Sequence, residues 1–173
     1  LPSNSKTLLC ILNSKVVWAF LKSICVVRSG GYIEVKPQYF EQIPVPELKN
    51  EELFEQKADV VIENTSILQN LNMKFSKYLQ SQFQLETLTK KLQNWYNLDF
   101  VDFITELNKA IKKVGGDKLT KSVEMEWMEV FEEKKVEVLK LKSEIDRIDK
   151  EIDQLVYELY GLTDNEIAIV EGV

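Results

Sequence analysis

The most regular pattern in the chain is a series of apolar residues near its C-terminal end, spaced alternately three and four positions apart. This spacing is typical of a helix whose apolar seam faces a partner helix in a left-handed coiled coil. It predicts a continuous helix over residues 123–160, about 57 Å long. Because the other positions are mostly charged, this helix needs a partner, which we predict to be residues 51–83. The seam consists of Val138, Leu141, Ile145, Ile148, Ile152, Leu155, Leu159 and Leu162.

Polar capping residues predict where two further helices begin. Asn50 precedes the periodic apolar residues of 51–83, and Asp99 precedes those of 100–114. Both residue types accept hydrogen bonds from the free amides of a first helical turn. A shorter helix is expected around residues 88–95. The chain beyond residue 50 is therefore predicted to be almost wholly helical.

The first 46 residues have a mixed pattern. A wide apolar face predicts one helix that is capped by Ser3 or Ser5 and runs to about Val27, and the Ser-Gly-Gly sequence at 29–31 ends it. Alternation of apolar and polar residues predicts one short strand at 32–36. Two prolines make residues 43–46 extended, because each proline disfavours a helical conformation of the residue before it.

This extended segment predicts a division of the chain into residues 1–46 and residues 47–173. The expected fold class is mainly α: a long-helix bundle or antiparallel coiled coil, with a small α+β segment at the N-terminal end. Residue 1 is Leu rather than Met, so we expect the sequence to be part of a longer chain.

Charge is distributed unevenly along the 173 residues. The composition, 45% hydrophobic and 29% charged with a net charge of −6, is that of an ordinary globular protein. Residues 1–50 carry a net charge of +3, whereas the remaining residues carry −9. Since nucleic-acid binding depends on neutralising phosphates, any such contact is expected within the first fifty residues. Solvated helix faces are an equally good explanation of the asymmetry.

The absence of histidine excludes several kinds of site. It removes the commonest general base, the Ser-His and Cys-His activation schemes and most zinc sites. Cys10 and Cys25 are too few for a structural zinc centre, and about 22 Å would separate them along one helix, too far for a disulfide. We expect reduced thiols and a cytoplasmic protein. Polar residues interrupt the apolar stretch 7–27, so we expect no membrane segment.

One group of residues has the chemistry of a DNA contact. It combines positive charge, an aromatic ring and an amide around an exposed glycine turn and strand, as contacts to phosphates and base edges require. The candidate DNA-binding residues are Arg28, Gly30, Gly31, Tyr32, Lys36 and Gln38. Alternatively, the two glycines are present only because the backbone of the turn requires them, and they contact no ligand.

Other patterns are better explained without a ligand. Glu47, Glu55 and Lys57 imitate the acidic pair and lysine of metal-dependent nucleases, but the last two fall in a helical segment, whereas those motifs place them on a strand. We therefore predict no catalytic residue and no metal site. Aromatic residues of the acidic region belong to amphipathic helices and are expected to pack rather than to stack on bases: Trp95, Tyr96, Trp127 and Phe131.

Three segments resemble a known family. The sequence LCILNSKVVW at residues 9–18, the glycine pair with Tyr32, and YFEQIPVP at residues 39–46 are similar to the distal part of the TaqI-like C-terminal specificity domain. This is the target recognition domain of bifunctional (type IIG) restriction–modification enzymes and adenine-specific DNA methyltransferases. The helical end IDQLVYELYGLT at residues 152–163 also looks like the end of such enzymes.

The resemblance implies a non-catalytic fragment of a larger enzyme. Residues 1–46 would be the distal part of a target recognition domain that contacts double-stranded DNA. Residues 47–173 would be a helical spacer that docks on the methyltransferase and nuclease domains. S-adenosylmethionine and Mg²⁺ would belong to the parent enzyme, because neither an Asn-Pro-Pro-Tyr motif nor a glycine-rich cofactor motif is present here. The alternative is a coiled-coil protein-interaction or homodimerisation module without DNA contact.

Overall fold

The computed structural model describes residues 5–30, 32–48 and 50–172, and these residues are mainly helical, as predicted. Short strands occur only near the N-terminal end of this part of the chain. In chain order the elements are α1 (Lys6–Asn13), α2 (Lys15–Ile24), β1 (Val26–Val27), β2 (Ile33–Glu34), α3 (Pro37–Phe40), α4 (Glu51–Phe83), α5 (Lys90–Gln93), a 3₁₀ turn (Trp95–Asn97), α6 (Phe100–Lys113), α7 (Lys121–Tyr160) and α8 (Asp164–Glu171).

The chain forms two compact units, each with its own apolar core. Unit 1 comprises Leu1–Ile62 and Asp146–Val173, and unit 2 comprises Glu63–Ile145. The long helices α4 and α7 contribute a segment to each unit. The predicted boundary between residues 46 and 47 concerns something else, namely which part of the chain comes from a recognition domain and which from a helical spacer. That boundary stays a prediction.

Unit 1 is built on the seam of α7. Ile148 and Ile152 are buried against Phe54 and Ala58 of α4 and against the apolar faces of α1 and α2. The helix segments are antiparallel, because Phe54 shares a groove with Leu159, whereas Lys57, one turn later in α4, contacts Glu151, which lies earlier in α7. The predicted seam therefore faces a partner helix in this unit.

Unit 2 has an aromatic core. The rings of Phe75 and Trp95 stack with centroids 4.0 Å apart, and those of Phe103 and Phe131 stack at 4.7 Å. The indole N–H of Trp95 donates a 2.9 Å hydrogen bond to Asn72 Oδ1, so this fully buried ring keeps a polar partner. Trp95, Trp127 and Phe131 are buried and Tyr96 packs against them, which confirms their predicted packing role.

Ser5, one of the two predicted caps, caps α1, but the prediction of one uninterrupted helix from there to about Val27 is wrong. Ser14 interrupts it with an extended backbone, ψ 158°, and separates α1 from α2 by a bend of 55°. Its hydroxyl donates a 2.7 Å hydrogen bond to the Ile11 carbonyl and accepts one from the Val17 amide. One serine side chain thus serves both helix ends, which is why an uninterrupted apolar pattern does not give an uninterrupted helix.

The residues after α2 form a small hairpin rather than a single strand. β1 and β2 are antiparallel, with Val26 opposite Glu34 and Val27 opposite Ile33. The predicted strand at 32–36 is present only as Ile33–Glu34. Its partner strand, β1, lies in residues for which the sequence predicts the end of a helix. These residues are free to form a strand because α2 ends at Ile24.

Among the described residues, no single helix has the length and apolarity to cross a membrane. Helices α1 and α2 satisfy that criterion only when they are taken together across their bend.

Candidate functional site

The candidate site is the turn between β1 and β2 in unit 1. The Arg28 amide donates a 2.7 Å hydrogen bond to the Tyr32 carbonyl and so closes the turn. Gly30 has φ +90°, a conformation that side chains rarely adopt, and a Cβ there would lie 3.4 Å from the Tyr32 ring. The turn therefore needs glycine at this position, whereas Gly31 lies outside the described residues.

Three charged side chains lie together beside the turn. The Arg28 guanidinium binds Glu34, with Nε 2.8 Å from Oε2, and Lys36 Nζ lies 3.7 Å from Oε1 of the same carboxylate. Hydrogen bonding from Arg28 holds the pKa of Glu34 below its ordinary value, with a smaller effect of Lys36. Two cations thus share one carboxylate, and the group keeps an excess of positive charge.

The polar groups of the turn are accessible. The Tyr32 side chain is the most exposed member, at 75% of its full accessible area, and Arg28 and Lys36 are also exposed. Gln38 lies beyond them in the short helix α3, where its side chain is exposed. The structure therefore brings Arg28, Tyr32 and Lys36 to one hairpin and places Gln38 in the next element.

Helix α2 adds an exposed pair that the sequence analysis missed. Lys22 Nζ lies 5.3 Å from the centroid of the Trp18 ring, and this indole remains 48% exposed. A lysine four residues after an aromatic residue on a helix is the sequence signal for such a cation–π pair. The helix that enters the hairpin therefore carries a further cation and an aromatic ring.

A separate cavity of about 530 Å³ lies in unit 1 between α1, α4 and α7. Asp153 lines it, is buried, and accepts a 2.9 Å hydrogen bond from the backbone N–H of Lys15. Burial raises the pKa of Asp153, and partial desolvation raises that of Asp149, a mostly exposed residue that lines the same cavity. Asp153 is therefore a buried carboxylate that caps the start of α2.

The ammonium group of Lys15 links this region to α8. Its Nζ lies 2.5 Å from Glu171, which also accepts a 2.6 Å hydrogen bond from the Tyr157 hydroxyl. These contacts hold the pKa of Glu171 below its ordinary value, Lys15 having the larger effect. The group ties α2, α7 and α8 together, which is a structural role.

The nuclease-like pattern does not form a carboxylate site. Glu55 and Lys57 lie in α4 as predicted, and Lys57 forms an ion pair with Glu151 of α7. Within residues 5–30, 32–48 and 50–172, no three His, Cys, Asp or Glu side chains have the arrangement of a metal site. The residues of the hairpin can bind anions and stack on flat rings, and these are binding chemistries.

Comparison with known proteins places most of the chain in one family. Residues 47–156 match the family described as Domain of unknown function (DUF8810). The chain belongs to this family. The DUF8810 match spans α4, α5, α6 and most of α7, and the hairpin precedes it. No curated protein and no solved structure matches the chain.

Proposed function

We propose that the chain is a non-catalytic DNA-specificity module of a restriction–modification enzyme of the cytoplasm. The β1–β2 hairpin contacts the DNA backbone, and the DUF8810 helices hold it against the methyltransferase and nuclease domains of the parent protein. The resemblance of residues 9–18, 39–46 and 152–163 to TaqI-like specificity domains suggests this parent.

The observation that carries the proposal is the exposed cationic hairpin. Arg28 and Lys36 lie on either side of Glu34, beside the accessible ring of Tyr32. A guanidinium group and an ammonium group bind phosphate oxygens, and an exposed tyrosine can stack on or hydrogen-bond to a nucleotide. Glu34 keeps the two cations in place in the absence of DNA and is expected to release one of them to a phosphate.

The charge distribution also favours DNA contact by the N-terminal segment. Residues 1–50 carry a net charge of +3 and the remainder −9, so an approaching polyanion is attracted to the N-terminal segment and repelled by the rest. The proposed role needs no cofactor in this chain. S-adenosylmethionine and Mg²⁺ would act in the parent enzyme, outside these residues.

The test is a salt titration of DNA affinity in the full-length parent protein. Replacing Arg28 and Lys36 together with Ala should weaken binding and reduce the slope of log K against log salt by nearly two units, about 0.9 per phosphate contact. The matched control replaces Lys112 and Lys113 of α6, which removes the same charge from the DUF8810 segment and should leave the slope almost unchanged.

Equal behaviour of the two variants would contradict the hairpin contact. An unchanged slope in the hairpin variant would mean that this turn faces protein or solvent.

A second candidate function is a protein-interaction or dimerisation module. The observation that favours it is a line of exposed apolar side chains on α7, in the N-terminal half of that helix. Association through α7 would not by itself exclude DNA contact by the hairpin, because it uses a different element of the chain.

A further inference from the structure

The N-terminal half of α7 has an apolar stripe that faces solvent. At 100° per residue, its members fall within about 80° of the helix circumference. Met125 is 71% exposed and Val136 65% exposed, values unusual for large apolar side chains. We define the α7 stripe as Met125, Met128, Val136 and Leu139.

The stripe is distinct from the face of α7 that forms the core of unit 2. Trp127, Phe131 and Val138 are buried and point, on the same helical geometry, about 120° away from the stripe. Val130, by contrast, is 41% exposed and lies on neither face. The helix therefore uses one apolar face internally and leaves a second one without a partner among the described residues.

The net charge of α7 reverses sign along the segment that contains the stripe. Residues 121–133 contain one lysine and five glutamates, a net charge of −4, whereas residues 134–143 contain four lysines and one glutamate, a net charge of +3. Two copies in antiparallel orientation would bring each acidic half beside a basic half. A parallel pair would place like charges together, which is unfavourable.

We infer that the α7 stripe binds a second copy of this chain, helix against antiparallel helix. In that arrangement Met125 lies opposite Leu139 of the second copy, Met128 lies opposite Val136, and Glu132 lies near the two-fold axis. The apolar contacts drive association, and the charge reversal selects the antiparallel orientation. This inference is independent of DNA binding by the hairpin.

The surface is suited to a weak dimer. Residues 125–139 span only about 21 Å, and a pair of helices of that length buries less than the roughly 800 Å² per partner of a standard stable interface. Glu132 also places a charge in the middle of the stripe. Association is therefore expected at tens to hundreds of micromolar protein.

Sedimentation equilibrium of the 173-residue chain over this concentration range tests the inference. The average mass of the wild type should rise from that of a monomer towards that of a dimer. Replacing Met128 and Val136 with Ser should weaken dimerisation at least about tenfold, since four apolar side chains leave each dimer interface. The matched control Val130→Ser removes an exposed apolar side chain of the same helix and should dimerise as the wild type does.

Helix content measured by circular dichroism should be equal in all three proteins, because the replaced side chains are exposed. A wild type that stays monomeric throughout, or a stripe variant that dimerises as strongly as the wild type, would overturn the inference.

A charge exchange tests the orientation. Glu126 and Lys140 flank the stripe on the same side, and in the antiparallel pair each lies beside the other residue of the second copy. Glu126→Lys alone should weaken the dimer, and combining it with Lys140→Glu should restore it. Failure of the combined variant to recover dimerisation would overturn the antiparallel arrangement.

Discussion

At the scale of single residues, Asp153 shows how a helix start is fixed by a distant side chain. Its carboxylate accepts the backbone N–H of Lys15, although 138 positions separate the two residues. The carboxylate is buried, and burial raises its pKa despite the opposing effect of Lys15. The residue thus contributes a hydrogen bond to the start of α2, while its charge is disfavoured by desolvation.

We predict that Asp153→Ala lowers the free energy of unfolding by about 1–2 kcal/mol, because the Lys15 amide loses its acceptor. Asp149→Ala, at an exposed position on the same helix, should have a smaller effect. Urea denaturation followed by circular dichroism measures both. An equal loss in the two variants would contradict the capping role of Asp153.

Asp153→Asn keeps an acceptor oxygen and removes the titration. A raised pKa in the folded state means that the acid form stabilises the fold at low pH, and this contribution declines as pH rises from about 3.9 through the folded pKa. The stability of the wild type relative to Asp153→Asn should therefore fall across that interval. A rise over the same interval would show that the pKa is lowered instead.

Cys10 is predicted to react slowly with thiol reagents. Its thiol is buried beside the Phe54 carbonyl, and desolvation raises its pKa to about 11, so little thiolate is present near neutral pH. Labelling with a chromogenic disulfide at pH 8 should be slow in the native protein and rapid in urea. Rapid native labelling at Cys10, located by mass spectrometry, would contradict its burial.

At the scale of elements, the sequence predicts helices well wherever the signal is local. The start of α6 at Phe100 follows from Asp99, whose side chain accepts the Asp102 amide, and α7 ends at Tyr160, the predicted end. The break at Ser14 was missed because serine is compatible with a helix interior as well as with a cap. The choice between a helix interior and a cap at Ser14 depends in part on the hydrogen bond from the Lys15 amide to Asp153. The local sequence cannot reveal that bond, because Asp153 is distant along the chain.

In the candidate site, too, the features with a local sequence signal could be predicted and those that depend on strand pairing could not. Gly30 and the exposed turn could be predicted from the Ser-Gly-Gly sequence. The pairing of β1 with β2 could not, because apolar residues 24–27 continue the helical pattern of α2. Without that pairing, the position of Arg28 beside Glu34 was not foreseeable.

A substitution in the seam of α7 tests whether this helix is packed as described. Ile148 is 5% exposed in the core of unit 1. Ile148→Asp would therefore bury an unpaired charge and should lower the free energy of unfolding by about 3–5 kcal/mol. Ile169→Asp, at a position that is 77% exposed on α8, is the matched control and should change stability little. Equal thermal stability of the two variants would contradict the burial of the seam.

At the scale of the whole molecule, charge separates two kinds of surface. The positive N-terminal segment contains the hairpin with Arg28 and Lys36, and the acidic remainder contains the DUF8810 helices. We assign DNA contact to the first surface and protein contact to the second. These assignments can fail separately, because salt-dependent DNA affinity and dimerisation are measured independently.

Photocrosslinking in the full-length protein tests the central claim most directly. A benzophenone amino acid replaces Tyr32, which is 75% exposed in the hairpin. In a matched protein it replaces Ile169, which is 77% exposed on α8. The account predicts a covalent DNA adduct from position 32 and none from position 169. DNA binding without an adduct from position 32 would contradict contact between the hairpin and DNA.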